Sequence, residues 1–275
     1  MTHNSKYRWN WSPEVVRNLI LRYSQEWDYL LDPMIWGWTT AIEAKLLNRN
    51  LLCYDINPNA IELTNKALDF EIDPESSSEW QENNNSVWQN AKIKVIHHNA
   101  TLKNEELKDE SIDFVLMHPP YVDIIKYSDW KIPEDISGIH DIDKFCYEIE
   151  KIAIESFRVL KPWKYCAVLM WDTRREKLYQ PLAFKVMERF LKSGFVLKED
   201  IIKQQHNCKA TWFCPVVPSL YSRLQCRSSD RWRFHFKPWP FSGWRLYICN
   251  GKGSIWIKLY LTWLRRPDSR YRQMA

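Results

Sequence analysis

The sequence predicts an α/β fold built on a mostly parallel β-sheet. Short apolar runs that suit strands alternate along the chain with longer segments that have the periodicity of amphipathic helices. This alternation is typical of βαβ units, in which a helix returns the chain to the start of the next parallel strand. Several of the apolar runs end on an acidic residue or on prolines, which places polar groups at one edge of the expected sheet.

Six strands and four helices follow from these patterns. The predicted strands are Tyr29 to Leu31, Leu51 to Ile56, Lys92 to His98, Ile112 to Met117, Tyr165 to Met170 and Phe195 to Ile202. The predicted helices are Thr40 to Leu47, Pro58 to Phe70, Ile142 to Leu160 and Leu178 to Leu191. Asn57 is expected to cap the second of these helices, with Pro58 at its first position. The polar residues 71–90 are interpreted as a solvated loop or insertion.

Composition excludes several classes of protein. The sequence contains no run of 18 apolar residues, and Met1 to Asn10 lacks the apolar core of a signal peptide, so we expect a cytoplasmic protein without a membrane partner. Seven scattered cysteines are interpreted as reduced thiols. No metal site is predicted, and a zinc site using Cys208 and Cys214 is the less favoured alternative.

Polar residues follow three of the predicted strands. Asp32 ends the first strand, Asp55 lies at the end of the second, and His118 to Tyr121 follow the fourth. Ligands of open α/β sheets bind outside the carboxyl ends of the strands. A carboxylate after the second strand can accept hydrogen bonds from both hydroxyls of a ribose. The pair of Asp32 and Asp55 therefore predicts a nucleoside cofactor, although a single strand-terminal Asp is more often a turn residue.

Two motifs resemble those of S-adenosylmethionine-dependent DNA amino-methyltransferases. The segment Asp32-Pro33-Met34-Ile35-Trp36-Gly37-Trp38-Thr39-Thr40 is similar to the cofactor motif D-P-[FM]-x-G-x-G-T-T, and His118-Pro119-Pro120-Tyr121 resembles the catalytic motif [DNS]-P-P-[YFW]. The resemblance spans about residues 7–213 and includes Asn10 to Tyr23, which resembles the segment that packs over the methionine end of the cofactor. It implies a Rossmann-like sheet of seven strands with helices on both faces. The seventh strand is antiparallel and lies between the fifth and sixth.

The resemblance also implies the cofactor contacts. The loop containing Asp32, Pro33, Trp36, Gly37, Trp38, Thr39 and Thr40 would wrap the methionine part of S-adenosylmethionine. Asp55 would hold the ribose hydroxyls, and Ile56 would pack on the adenine. Asn99 stands where the family often has an Asp facing the adenine amino group.

The catalytic motif implies methyl transfer to N4 of cytosine or N6 of adenine in DNA, as in restriction–modification systems. Tyr121 would stack on a base flipped out of the helix. The Pro119 carbonyl and the residue 118 side chain would accept hydrogen bonds from the exocyclic amine, and Pro120 belongs to the same catalytic motif. His118 departs from the family pattern, but a neutral imidazole can still accept a hydrogen bond. Asp113 and Asp123, which flank the motif, are interpreted as solvated or capping residues.

Tryptophan stands at several positions that favour glycine. The chain has 16 Trp but only 6 Gly. Trp36 and Trp38 occupy the glycine places of the cofactor motif, Trp163 that of a K-P-G turn, and Trp27 and Trp130 lie in apparent turns. The favoured hypothesis is that the source reads UGA as glycine and that this translation reads it as tryptophan. The alternative is a divergent or inactive protein with true tryptophans.

Composition changes after residue 213. Residues 211–275 contain nine Arg and three Lys but only two Asp and no Glu. We therefore divide the chain into a methyltransferase domain, 1–213, and a basic tail, 214–275. A frameshifted or joined fragment is favoured over a DNA-recognition tail. The best candidates for the seventh strand in the tail are Arg245 to Cys249 and Ile255 to Leu261.

Two other functions compete with DNA methylation. An RNA guanine-N2 methyltransferase also has a cofactor motif that begins D-P-M and continues to I-E-A, as in Ile42-Glu43-Ala44. A non-catalytic nucleic-acid-binding relic would explain His118 and true tryptophans in the cofactor loop. Cofactor binding separates the relic from the two enzymes, and the methylated nucleic acid separates the enzymes from each other.

Overall fold

The protein forms a three-layer α/β fold in a computed structural model. The structure describes residues 12–70, 91–125, 127–128, 131–175, 178–203, 233–235, 247–249 and 259–266. Five helices are described: α1 Pro13–Tyr23, α2 Thr39–Leu46, α3 Pro58–Ala67, α4 Ile142–Val159 and α5 Leu182–Lys192. The first eight strands are β1 Tyr29–Asp32, β2 Asn50–Asp55, β3 Ile93–His97, β4 Ile112–Met117, β5 Leu160–Trp171, β6 Thr173–Arg175, β7 Leu178–Gln180 and β8 Val196–Lys203. The remaining strands are β9 Arg233–His235, β10 Tyr247–Cys249 and β11 Leu259–Arg265.

Seven strands form the main sheet in the order β3-β2-β1-β4-β5-β11-β8. The pairs from β3 to β5 are parallel, and β11 is antiparallel to both β5 and β8. The order reverses between β1 and β4, so the carboxyl ends of these strands border a crevice suited to ligands. The predicted fold class, a mostly parallel seven-stranded sheet with helices on both faces, is confirmed.

Apolar residues cover both faces of the sheet because successive side chains of a buried strand point to opposite sides. On β1, Leu31 packs in the core cluster formed with α4 and α5, and Leu30 packs in the cluster formed with α1 and α2. All six residues of β4 are buried, as expected for a central parallel strand. These two clusters fix the strand ends from which the site is built.

The seventh strand comes from the basic tail. Strand β11 pairs with Tyr165 to Trp171 on one side and with Val196 to Lys203 on the other. It includes Leu259 to Leu261, the last three residues of the predicted candidate Ile255 to Leu261. The other candidate contributes Tyr247–Cys249 to a separate two-stranded sheet with β9. The tail thus supplies a strand to the sheet, and both the boundary at residue 213 and the origin of the tail stay predictions.

Three of the tryptophans at glycine-like positions have left-handed backbone. The φ angles are 70° at Trp27, 32° at Trp38 and 65° at Trp163. A side chain with a Cβ atom is disfavoured there, whereas glycine is not. Trp130 lies outside the described residues, and Trp36 is not among the residues with positive φ. The backbone therefore supports the glycine hypothesis at residues 27, 38 and 163.

Two acidic residues that flank the catalytic motif have structural partners, and the interpretation of Asp113 as a solvated or capping residue was wrong because it is buried. Asp113 is buried, and its carboxylate accepts hydrogen bonds from the Lys161 ammonium group at 2.9 Å and from the Tyr29 amide at 3.2 Å. Asp123 forms an ion pair with Arg175 at 2.6 Å. Both contacts link the strands and loops beside the catalytic motif.

The described residues include three of the seven cysteines. Cys53, Cys146 and Cys166 are buried free thiols, and Cys208 and Cys214 lie outside the described residues. Residues 71–90 also lie outside them. Within the described ranges, no cluster of His, Cys, Asp and Glu could hold a metal ion, and no helix is long and apolar enough to cross a membrane.

Candidate cofactor and active site

The loop after β1 begins on a buried carboxylate. Asp32 is 1% exposed, and its Oδ1 atom accepts a hydrogen bond from the Met34 amide at 3.1 Å. Burial raises the pKa of Asp32 to about 6, although hydrogen bonds from Thr40 and Met34 oppose the shift. The Ile35 amide donates to the Tyr54 carbonyl at 3.0 Å and thereby ties this loop to β2. The loop reaches α2 through Gly37, at φ 80°, and Trp38.

A second carboxylate lies at the end of β2. The Oδ1 atom of Asp55 accepts a hydrogen bond from the Asn57 amide at 2.8 Å. Burial raises the pKa of Asp55 to about 7, and the negative charges of Asp135 and Asp32 add to the shift. Asn57 caps α3 through its own side chain, which accepts from the Asn59 amide at 3.0 Å. The Asn57 amide therefore holds the Asp55 carboxylate in place. Among the described residues, no Lys or Arg forms an ion pair with it.

Asn99 follows β3 and is oriented by Thr101. Its side-chain oxygen accepts hydrogen bonds from the Thr101 amide at 2.9 Å and from the Thr101 hydroxyl at 2.8 Å. An amide oxygen has two lone pairs, so these two bonds use its accepting capacity. The amide nitrogen of Asn99, a hydrogen-bond donor, is therefore the group suited to an acceptor on a ligand.

The catalytic motif follows β4. His118 and Pro120 line the pocket described below, whereas Tyr121 is 2% exposed and lies beneath them. The Tyr121 hydroxyl is hydrogen-bonded to Nε2 of His118, and burial raises the pKa of this phenol well above its usual value. The ring of Tyr121 stacks on Trp171, with 5.1 Å between ring centroids and 24° between planes. A flipped base would have to displace Trp171 before it could stack on this face.

One pocket joins these strand ends. It encloses about 550 Å³ including its open mouth. Seven of the predicted site residues line it: Pro33, Trp36, Asp55, Ile56, Asn99, His118 and Pro120. Asp32, Gly37, Trp38, Thr39, Thr40, Pro119 and Tyr121 lie in the same loops but are not among its lining residues. The structure thus brings the cofactor motif and the catalytic motif to a single cavity.

The segment between β4 and α4 closes one side of the pocket, which the sequence did not reveal. Tyr127, Glu134, Asp135 and Ile136 line the cavity. The Tyr127 carbonyl accepts a hydrogen bond from the Asn57 side chain at 3.0 Å, which holds this segment against the end of β2. The only local signal in the sequence is Asp135, which caps the short 3-10 helix Ile136–Gly138 through the Ser137 amide.

Trp36 lines the pocket. The indole meets the Tyr127 ring edge-on, with 4.4 Å between centroids and 74° between planes. The two rings occupy the side of the cavity that adjoins the loop from Asp32 to Thr40. Glycine at residue 36 would leave that space to a ligand.

Comparisons with known proteins support the fold. No protein-family model matches the sequence, and no curated protein matches it significantly. Among solved structures, TrmN from Thermus thermophilus is similar over 94% of this chain at 12% identity, with a TM-score of 0.50, and the chain spans 50% of that structure. A SAM-dependent methyltransferase from Methanosarcina mazei is similar over 90% of this chain and 97% of its own length, at 15% identity and a TM-score of 0.47. A TehB-like SAM-dependent methyltransferase from Corynebacterium glutamicum covers 68% of this chain and 75% of its own, at 12% identity and a TM-score of 0.40. At 12% identity, the similarity to TrmN supports the fold alone.

Proposed function

We propose that the protein transfers a methyl group from S-adenosylmethionine to an exocyclic amine of cytosine or adenine in DNA. The observation that carries this proposal is the meeting of two motifs in one pocket. Pro33 and Trp36 of the cofactor motif line the same cavity as His118 and Pro120 of the catalytic motif. Methyl transfer requires this proximity, because the cofactor and the acceptor must meet in line.

The residues of the pocket suit the nucleoside half of the cofactor. The Asp55 carboxylate can accept from ribose hydroxyls, Ile56 offers an apolar surface to adenine, and the Asn99 amide can donate to a ring nitrogen. The methionine half fits less well, because the Trp36 indole occupies the adjoining space. Glycine at residue 36 removes this conflict.

When bound, S-adenosylmethionine supplies an electrophilic methyl group on its sulfonium. The Pro119 carbonyl and the Nδ1 atom of His118, whose Nε2 atom is bonded to the Tyr121 hydroxyl, would orient the amine of the target base by accepting its hydrogen bonds. The amine nitrogen would take up that methyl group and lose one proton to His118 or to water. No cysteine nucleophile is required, since the attacking atom belongs to the substrate.

A radiolabel assay tests the proposal and separates the alternatives. The chain as written and its Trp36→Gly/Trp38→Gly variant are incubated with methyl-labelled S-adenosylmethionine and either duplex DNA or structured RNA. Label in DNA that disappears in the Asp55→Ala variant supports the proposal. Label in RNA alone supports an RNA methyltransferase instead. Cofactor binding without transfer to either, or no binding at all, contradicts the proposed activity.

A further inference from the structure

Tyr121 is buried beneath the pocket rather than presented to it. His118 and Pro120 of the same motif line the cavity, whereas Tyr121 is not among its lining residues. The indole of Trp171 covers one face of the Tyr121 ring, at 5.1 Å between centroids and 24° between planes. Trp171 thus occupies the place that a stacked base would take on that face, and the hydroxyl is the group through which Tyr121 reaches the site.

The hydroxyl of Tyr121 contacts the catalytic motif at His118. It is hydrogen-bonded to Nε2 of the imidazole, and the two rings meet edge-on, with 5.4 Å between centroids and 67° between planes. Burial raises the pKa of the Tyr121 phenol well above its usual value, so the group stays a neutral hydroxyl that can donate or accept. Because Nε2 of His118 is bonded to this hydroxyl, Nδ1 is the ring nitrogen left for a substrate.

The position of the proton on His118 decides what Nδ1 can do. A neutral imidazole carries one proton, so one ring nitrogen donates and the other accepts. If the Tyr121 hydroxyl donates to Nε2, the proton lies on Nδ1, which can then only donate. If Nε2–H donates to the phenol oxygen, Nδ1 can accept. An exocyclic amine donates hydrogen bonds, so its methylation requires the second arrangement.

We propose that Tyr121 is a positioning residue, whose phenol oxygen accepts a hydrogen bond from Nε2–H of His118 and thereby keeps Nδ1 an acceptor for the amine of the target base. This inference rests on the proposed function, because it assumes that an amine is methylated at this motif. A proton that the amine loses can be taken up at Nδ1 and then passed to water. The bond from Nε2–H to the phenol oxygen is kept in both protonation states of the ring.

Tyr121→Phe tests the assignment, because it removes the hydroxyl and keeps the ring against Trp171. A role in base stacking predicts that turnover survives the substitution. The positioning role predicts that methyl transfer to DNA falls about 5- to 150-fold, the range for leaving a buried donor without an acceptor. Affinity for S-adenosylmethionine, measured by calorimetry, should be unchanged. All variants are made in the Trp36→Gly/Trp38→Gly chain.

Tyr54→Phe is the matched control. Tyr54 is also buried, its ring also meets an imidazole edge-on, that of His98 at 5.0 Å between centroids, and it does not line the pocket. Loss of its hydroxyl should leave turnover unchanged. A His118→Asn background supplies the second control, because an amide oxygen accepts hydrogen bonds without help from a phenol. In that background the cost of Tyr121→Phe should largely disappear, since the two residues act as a pair.

NMR of isotope-labelled histidine side chains measures the position of the proton directly. Spectra are recorded above the usual titration range of an imidazole, and the His118 signals are assigned by their loss in His118→Asn. We expect the proton on Nε2, with a larger share on Nδ1 in Tyr121→Phe. A proton on Nδ1 in the parent, turnover that survives Tyr121→Phe, or an equal loss in both backgrounds would overturn the assignment. A parent chain that carries the proton on Nε2 but methylates no DNA would instead overturn the proposed function.

Discussion

Replacing Trp163 by glycine should stabilise the protein relative to replacing it by alanine. Trp163 lies in a bulge of β5, where the pairing with β4 skips from Leu160 to Tyr165. Its φ angle is 65°, and its amide donates to the Arg266 carbonyl at 2.9 Å, which holds the left-handed conformation in place. A bulge of this kind favours glycine at its left-handed residue.

The magnitude follows from the Cβ atom alone, because both variants lose the indole, which is 39% exposed. A Cβ atom in the left-handed region costs about 1–2 kcal/mol. Glycine also lowers the free energy of unfolding by about 0.5–1 kcal/mol, because it gives the unfolded chain greater conformational freedom. The free energy of unfolding of Trp163→Gly should therefore exceed that of Trp163→Ala by about 1 kcal/mol, and Tm should be higher by about 2–4 °C for a chain of this size.

Urea and thermal unfolding measure this difference, and Trp171 supplies the control. Trp171 ends β5 and is not among the residues with positive φ, so Trp171→Gly should be less stable than Trp171→Ala by about 0.5–1 kcal/mol. The reasoning fails if glycine is not the more stable choice at residue 163, or if it is equally favoured at residue 171.

In protein purified from the source, the peptide that spans residue 163 should contain glycine, and UGG codons at residues 36 and 163 would contradict the translation hypothesis.

Four further predictions concern the pocket. Asp55→Ala should weaken S-adenosylmethionine binding by about 1–3 kcal/mol because charge-assisted bonds to the ribose are lost, and unchanged affinity by calorimetry would remove Asp55 from the site. Affinity for S-adenosylmethionine should also fall as the pH decreases from 8 to 6, by up to about tenfold per pH unit. The pKa of about 7 leaves Asp55 protonated at low pH, so that it cannot accept hydrogen bonds from two hydroxyls. The Asp55→Asn variant should lose most of this pH dependence. Trp36→Gly/Trp38→Gly should restore cofactor binding that is weak in the chain as written, and micromolar affinity in the unaltered chain would refute the proposed obstruction. Tyr121→Ala should lower turnover far more than cofactor affinity, whereas equal losses of both would indicate misfolding.

Local patterns were sufficient to predict most of the sheet. Strand β4 has the predicted bounds Ile112–Met117, since an unbroken apolar run ends there at His118 and two prolines. Asn57 caps α3 as predicted, because the capping bond depends only on neighbouring residues. In contrast, α5 begins at Leu182 rather than Leu178, because Leu178–Gln180 pairs with Thr173–Arg175. That pairing is a tertiary interaction which helical periodicity does not reveal.

The sequence predicted only those pocket residues that lie at or just after the ends of strands. Asp55 and His118 lie at the same edge of the sheet because parallel strands bring their carboxyl ends together. Tyr127 and Asp135 come from the segment between β4 and α4, and their positions depend on how that segment packs. The apolar context of Tyr121 did not show that its ring is already covered by Trp171.

The place of β11 in the sheet has a consequence for how the chain is made. Strands β5 and β8 are complete once Lys203 has been synthesised, but their missing partner begins only at Leu259. Until then a nascent chain would present two open strand edges, each with unpaired backbone amides and carbonyls that another chain could join. Folding of the complete sheet is thus delayed until β11 has been synthesised. Premature termination before residue 259 should yield aggregation-prone protein rather than a smaller working enzyme.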